Sequence, residues 1–302
     1  MRINSNCWRR VRASATSNER VKVVPELPEM QALAERLDAA LASRRLEAVA
    51  VLGFSGLKTV VPGPDDLVGR RLEGVDRRGK YLRFHFEGAL TVALHLSQGG
   101  RVDLEDPPKE TKPRGSVVRF SFEGPLSLLV REHGTQRKVG WWVLASGDEG
   151  PMGKLGPEVT DASFDDMLAK SDDNRHIHTV LRDQRFVAGV GRGYADDALN
   201  RARFSPFSSL RSLSASQRLE LLSAVRSVMD EALVEERTRT GALSAAKLGE
   251  RFSVHNRAGQ PCPQCGAELR RVSYESYEIT YCPQCQTGGR LLADRRLSRL
   301  LR

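Results

Sequence analysis

Pro25-Glu26-Leu27-Pro28-Glu29-Met30 is the stretch on which the reading of this chain turns. Met30, Leu33, Leu37 and Leu41 follow at helical spacing and predict a helix that buries one apolar face. Pro28 suits a first helical turn, where no backbone N–H is needed, and Glu26 and Glu29 complement the positive helix end. Taken alone this is an ordinary helix start, its carboxylates offsetting the dipole by about 0.3–1 kcal/mol each.

A second pattern lies at the far end, Cys262-x2-Cys265-x16-Cys282-x2-Cys285. Paired thiolates at this spacing place two ligands on each of two tight turns, which is what a tetrahedral zinc requires. The turns Pro263-Gln264 and Pro283-Gln284, with Gly266, suit a zinc-ribbon hairpin. The alternative, two disulfides in a secreted chain, would be preceded by a signal peptide with an apolar core, a pattern the sequence lacks. With four sulfurs as ligands the zinc is expected to be structural, one per chain, leaving no open position for chemistry.

At 302 residues two or three domains are expected, and a net charge of +9 suits a polyanionic partner. No run of 18 apolar residues is present, so no membrane partner is expected and a cytoplasmic, nucleoid-associated chain is. Residues 1–24 form a basic extension with no apolar periodicity. A valine codon such as GTG can initiate translation as methionine, so Val24 is expected to be the true first residue, and its removal would expose Pro25.

Residues 25–146 read as an amino-terminal domain. Leu82, Phe84 and Phe86 alternate with Tyr81, Arg83 and His85, and segments 90–96, 117–122 and 126–130 continue in short strands, which predicts antiparallel sheets in a sandwich or barrel. Residues 147–157, rich in glycine and proline, are a linker. Residues 158–250 are a helical domain: a short helix near Gly193-Tyr194, a double turn at Phe204-Ser205-Pro206-Phe207, and a long amphipathic helix opened by a Ser214/Gln217 capping box. The zinc finger takes 251–286. The basic tail 287–302 is expected to dock as a short helix. Trp141-Trp142 predicts one core and one surface aromatic.

The motifs occur in an order that resembles the formamidopyrimidine-DNA glycosylase and endonuclease VIII family of base-excision repair enzymes. They are Pro25-Glu26-Leu27-Pro28-Glu29, Arg78-Gly79-Lys80-Tyr81-Leu82, Leu155-Gly156-Pro157-Glu158, Val190-Gly191 with Tyr194-Ala195, and the four cysteines followed by Gln286. The resemblance implies an α+β architecture: an amino-terminal β-sandwich with a flanking helix, a helix–two-turn–helix domain and a zinc β-hairpin, with DNA in the cleft of a monomer. It implies a glycosylase with abasic-site lyase activity, in which Pro25 is the nucleophile, Glu26 the acid/base, Glu29 the anchor of the amino terminus, and Lys80 a contact to the lesion or its phosphate. A free α-amino group titrates near 8, so part of it is unprotonated at neutral pH. A proline nitrogen held in an amide has no such lone pair.

The chain departs from that family at its DNA grip. Arg192 stands where asparagine is usual, and Tyr277 where the hairpin arginine is usual. Of the residues that fill the gap left by a flipped nucleotide, methionine is replaced by Gln98 and phenylalanine by Val139, while Arg137 keeps its type, with Lys138 between. Gly193, at the helix start, and His178, in an expected loop, complete the expected DNA contacts. A polar wedge favours substrates that are already open. The rival readings are a catalytically inactive lesion-binding protein on the same fold and a zinc-ribbon adaptor with a merely structural front half.

Overall fold

The computed structural model describes residues 24–134, 136–239, 243, 251–274 and 277–293. The extension 1–23 and the end of the tail, 294–302, lie outside the described residues, and so do the expectations for them.

Leu82, Phe84 and Phe86 are buried and their alternate neighbours half-exposed, because the strand carrying them turns one face to a second sheet. The strands form two four-stranded antiparallel sheets. One runs in the order β1 (Leu46–Val51), β6 (Ser116–Phe122), β7 (Leu126–Glu132), β5 (Gly100–Glu105). The other runs β2 (Leu72–Arg78), β3 (Tyr81–Phe86), β4 (Leu90–His95), β8 (Gly140–Leu144). Between them Phe84, Val92, Val118, Phe120, Leu128 and Trp141 share one core. Trp141 meets Phe120 edge-on at 5.6 Å and is wholly buried, whereas Trp142 is half-exposed.

Helix α1 (Leu27–Leu41) buries Met30, Leu33, Leu37 and Leu41 against this sandwich, while Leu27 belongs to the helical core. Its first turn therefore sits at the seam between the two halves. The helical half comprises α2 (Ala162–Lys170), α3 (Ile177–Leu181), α4 (Arg192–Arg201) and α5 (Ala215–Thr238). The capping box opens α5: Gln217 N donates to Ser214 Oγ at 3.3 Å, and Ser214 N to Gln217 Oε1 at 3.0 Å. A hairpin of β9 (Arg270–Ser273) and β10 (Glu278–Tyr281), with α6 (Pro283–Thr287), closes the described chain. Among the described residues no helix is long and apolar enough to cross a membrane.

One carboxylate ties the β2–β3 turn to the helical half. Glu158 accepts from Arg77 at 2.6 Å, Arg78 at 2.7 Å and the Gly79 N–H at 2.7 Å. Burial raises its pKa, but the arginines and the Gly79 N–H outweigh that and hold it below the usual range. Glu158→Ala leaves two half-buried guanidiniums without this partner, and is expected to destabilise the fold by about 3 kcal/mol in urea denaturation. A change within about 0.5 kcal/mol would contradict that role.

Candidate active site and metal centre

The two carboxylates of the opening motif diverge. Glu29 reaches back along α1 and accepts the Glu26 N–H at 2.7 Å, which completes one half of a capping box. Glu26 turns away from its own helix. Its carboxylate accepts the Gly191 N–H at 2.5 Å and the Gly193 N–H at 3.0 Å, so the dipole it offsets is that of α4. Both glycines are required. A Cβ on Gly191 would meet the Glu26 carboxylate carbon at 2.3 Å, and one on Gly193 the Phe252 ring at 2.2 Å.

Glu29 lies deeper. Burial pushes its pKa up, and the Arg251 guanidinium at 2.9 Å and a hydrogen bond from the Tyr194 hydroxyl pull it down without prevailing. Tyr194 belongs to α4 and Arg251 to the segment after α5, so this one side chain joins three parts of the chain.

Lys80 occupies the turn before β3. Burial of its ammonium lowers its pKa; Glu26 and Glu29 raise it, and Arg192 lowers it further. Pro25, Glu26, Glu29 and Lys80 are thus gathered at the seam between sandwich and helical half, with Pro25 buried. His95, on β4, packs its ring 4.7 Å from that of Tyr81. Burial and nearby Lys80 lower its pKa to about 4, so the imidazole is neutral at pH 7.

Three of the expected DNA contacts are buried. His178 lies in α3 rather than in a loop, is wholly buried, and has Nε2 3.2 Å from Asp196 Oδ1. Val139 is packed into the sandwich core, where it cannot act as a wedge without leaving that core. Gly193 is buried as well, and its N–H is taken by Glu26. Gln98 sits in the turn between β4 and β5, while Arg137 and Lys138 are exposed. Glu132 fixes their loop by accepting the Lys138 N–H at 2.7 Å. Arg192 and Tyr277 are half-buried and in contact, with the guanidinium carbon 4.5 Å from the ring centroid.

Residues that sequence reasoning left without a role complete the site. Tyr194 and Gly191 stand within quoted motifs, but nothing local marks their partners. Arg251 follows no motif at all. Asp196 is likewise silent in sequence, yet it accepts from Thr280 N at 3.0 Å and lies 2.6 Å from His255 Nδ1, joining α4 to the hairpin.

The sulfurs of Cys262, Cys265, Cys282 and Cys285 lie within 4.8 Å of one another, with Cys265 and Cys282 at 3.6 Å and Cys262 and Cys285 at 4.0 Å. A tetrahedral zinc at about 2.3 Å from each sulfur sets neighbouring sulfurs about 3.8 Å apart, so the four residues fit such an ion. Backbone N–H groups of Gln264 and Cys285 and the Asn200 amide point at these sulfurs, as thiolates favour. Four cysteines close together can hold a metal ion.

His255 supplies a pH test. Burial disfavours its charged form, but the hydrogen bond and charge of Asp196, with Glu26 and Asp197 nearby, raise its pKa above 6.5. A raised folded pKa contributes stability that is complete below about pH 6.5 and is lost as pH rises through the folded value. The melting temperature is therefore expected to fall as pH rises above about 6.5, and His255→Gln to flatten that fall. An unchanged profile in the variant would contradict the pairing.

The chain is similar to known proteins over most of its length. Residues 24–142 match the formamidopyrimidine-DNA glycosylase N-terminal domain, and residues 154–243 the formamidopyrimidine-DNA glycosylase H2TH domain. The formamidopyrimidine-DNA glycosylase of Chloroflexus aurantiacus is 32% identical over 279 residues, 87% of this chain and 98% of the relative. An uncharacterized formamidopyrimidine-DNA glycosylase-like protein of Mycobacterium tuberculosis is 43% identical over 152 residues, 49% of this chain and 94% of the relative. The crystal structure of MutM (Fpg) from Thermus thermophilus superposes with a TM-score of 0.73 at 31% identity, covering 87% of this chain and 98% of that one. Lactococcus lactis Fpg, crystallised with DNA containing an abasic site, gives 0.77 at 23% identity, covering 87% and 99%, a likeness of fold.

Proposed function

The chain belongs to the formamidopyrimidine-DNA glycosylase family, and on that premise we propose that it excises damaged bases from DNA and then cleaves the abasic strand. The nucleophile is the imino nitrogen of Pro25, once its bond to Val24 is gone. It attacks the sugar C1′ as the base departs, and the lone pair of a secondary amine yields a charged iminium directly. That electron sink acidifies the C2′ proton, whose removal expels the 3′ phosphate by β-elimination; a second, δ-elimination can follow.

The observation that carries this reading is the position of Glu26. Its carboxylate is adjacent to Pro25 in the chain and locked by two N–H donors of α4. There it can protonate the opening sugar and take protons back. Glu29 anchors the segment through Tyr194 and Arg251, and Lys80 faces the lesion or its phosphate. The four cysteines hold one structural zinc, which fixes the hairpin; DNA runs across the seam of a monomer, and the domains follow the boundaries read from the sequence.

Borohydride reduction in the presence of abasic-site DNA tests the proposal. A chain beginning at Pro25 is expected to give a covalent complex on a denaturing gel, and the same chain retaining residues 1–24 is expected to give none. Absence of a complex from both forms would sink the lyase reading. If both forms still bound DNA, the second reading, a lesion-binding protein on the same fold, would stand.

The substrate follows from the wedge. Gln98 is polar and Val139 is held in the core, so the protein pushes the helix apart weakly. Excision from single-stranded or bubble DNA is expected to be at least as fast as from intact duplex. A duplex rate tenfold faster, measured under single turnover, would contradict this.

A further inference from the structure

Three side chains from separate elements meet at one ring. Tyr277 lies just before β10, Arg192 opens α4, and Arg182 follows α3. The guanidinium carbons of Arg182 and Arg192 stand 4.3 and 4.5 Å from the Tyr277 ring centroid. Tyr274 stacks on the same ring at 4.4 Å with the planes 8° apart, and its N–H donates to the Tyr277 carbonyl at 2.7 Å. The hairpin tip thus presents a paired aromatic platform, and the helical half lays two cations on it.

A π face attracts a guanidinium held within about 6 Å of its centroid, and more strongly where water is displaced. Two cations brought to one ring also repel each other. Burial lowers the pKa of Arg192 and Arg182 lowers it further, with Glu26 and Asp196 acting in the opposite sense. The ring therefore gathers like charges that would otherwise spread apart. A planar guanidinium pair at a fixed spacing matches the oxygens of a phosphate.

We propose that Tyr277 is a positioning residue for DNA binding, its ring fixing Arg182 and Arg192 as paired donors to one phosphate of the DNA backbone. The inference rests on the reading of the chain as a DNA-binding glycosylase and names how its hairpin grips the strand. The resemblance puts the cation on the hairpin and a neutral amide on the helix; here the cations come from the helical half and the hairpin supplies the aromatic surface. Hairpin and helix then bind the strand as one unit, because neither part holds the geometry alone.

The test is anisotropy with a duplex carrying a tetrahydrofuran abasic analogue, at several salt concentrations, using the full chain with its zinc content checked. Tyr277→Leu is expected to weaken binding about fivefold to tenfold, and Tyr277→Phe, which keeps the ring, to restore it to within about twofold. Replacing both arginines by glutamine is expected to lower the slope of log K against log salt by about 1, as one phosphate contact is lost. In that background Tyr277→Leu is expected to change binding less than twofold. Wild-type binding by Tyr277→Leu overturns the proposal. So does an equal loss with both arginines absent, or a Tyr277→Phe variant as weak as the leucine one; either makes Tyr277 a direct contact. This duplex forms no Schiff base, so failure of trapping leaves the result readable, whereas wild-type protein that does not bind it sinks the DNA reading itself.

Discussion

Glu26→Gln is expected to lower single-turnover base excision by about a thousandfold, within the range of roughly 10²–10⁴ for a lost general acid–base. The substitution keeps size and removes the carboxylate beside Pro25. It also exchanges one of two acceptor oxygens for an amide, so one of the Gly191 and Gly193 N–H groups loses its partner. Leaving that buried donor unmatched costs about 1–3 kcal/mol of stability, which is small against the expected change in rate. The two effects separate by measurement. Affinity for a tetrahydrofuran-containing duplex is expected to stay within about tenfold of wild type while excision collapses. Excision within tenfold of wild type would remove Glu26 from the chemistry and leave it as the cap of α4.

Cys282→Ser, or stripping the metal with a chelator, is expected to unfold the hairpin and weaken DNA binding by a hundredfold or more. The reason is the size of its core. Val254, Leu269, Cys262 and Cys282 are the buried members of that cluster, and they cannot offset the entropy of ordering the segment. Structural zinc supplies about 10–16 kcal/mol in such modules, so metal and fold are lost together. The damage is expected to travel further. Asn200 on α4 donates to Gln286 Oε1 at 3.1 Å, and Asp196 holds Thr280, so a released hairpin also frees Arg192 from its tyrosine. Circular dichroism, zinc stoichiometry and anisotropy on one preparation check this. Native-like binding after verified metal removal would contradict it.

The sequence was most informative where the interaction is local. The alternation of Leu82, Phe84 and Phe86 fixes which face of β3 is buried, because the strand repeat is two residues. Cysteine pairs separated by two residues place their sulfurs within reach of one ion whatever the rest of the chain does. The Ser214/Gln217 box works over three residues. Failures came where a partner is remote. Glu26 looks like the cap of its own helix, yet its acceptor oxygens serve α4, 165 residues later. His178 reads as a loop residue at the DNA until Asp196 is brought beside it. Val139 stands in the register of a wedge, but the residue before a strand can face inward, and a valine side chain gains more in the sandwich core than in water. Tyr277 gave no hint of two arginines, since they arrive from the end of α3 and the start of α4.

The central claim is that Pro25 nitrogen is the atom that bonds to deoxyribose. The most direct measurement is tandem mass spectrometry of the borohydride-trapped complex after digestion to peptides. The expected result is a reduced sugar remnant on the amino-terminal Pro25 of a chain cut free of Val24. A remnant on Lys80, or equal trapping by a chain that still carries residues 1–24, would contradict it.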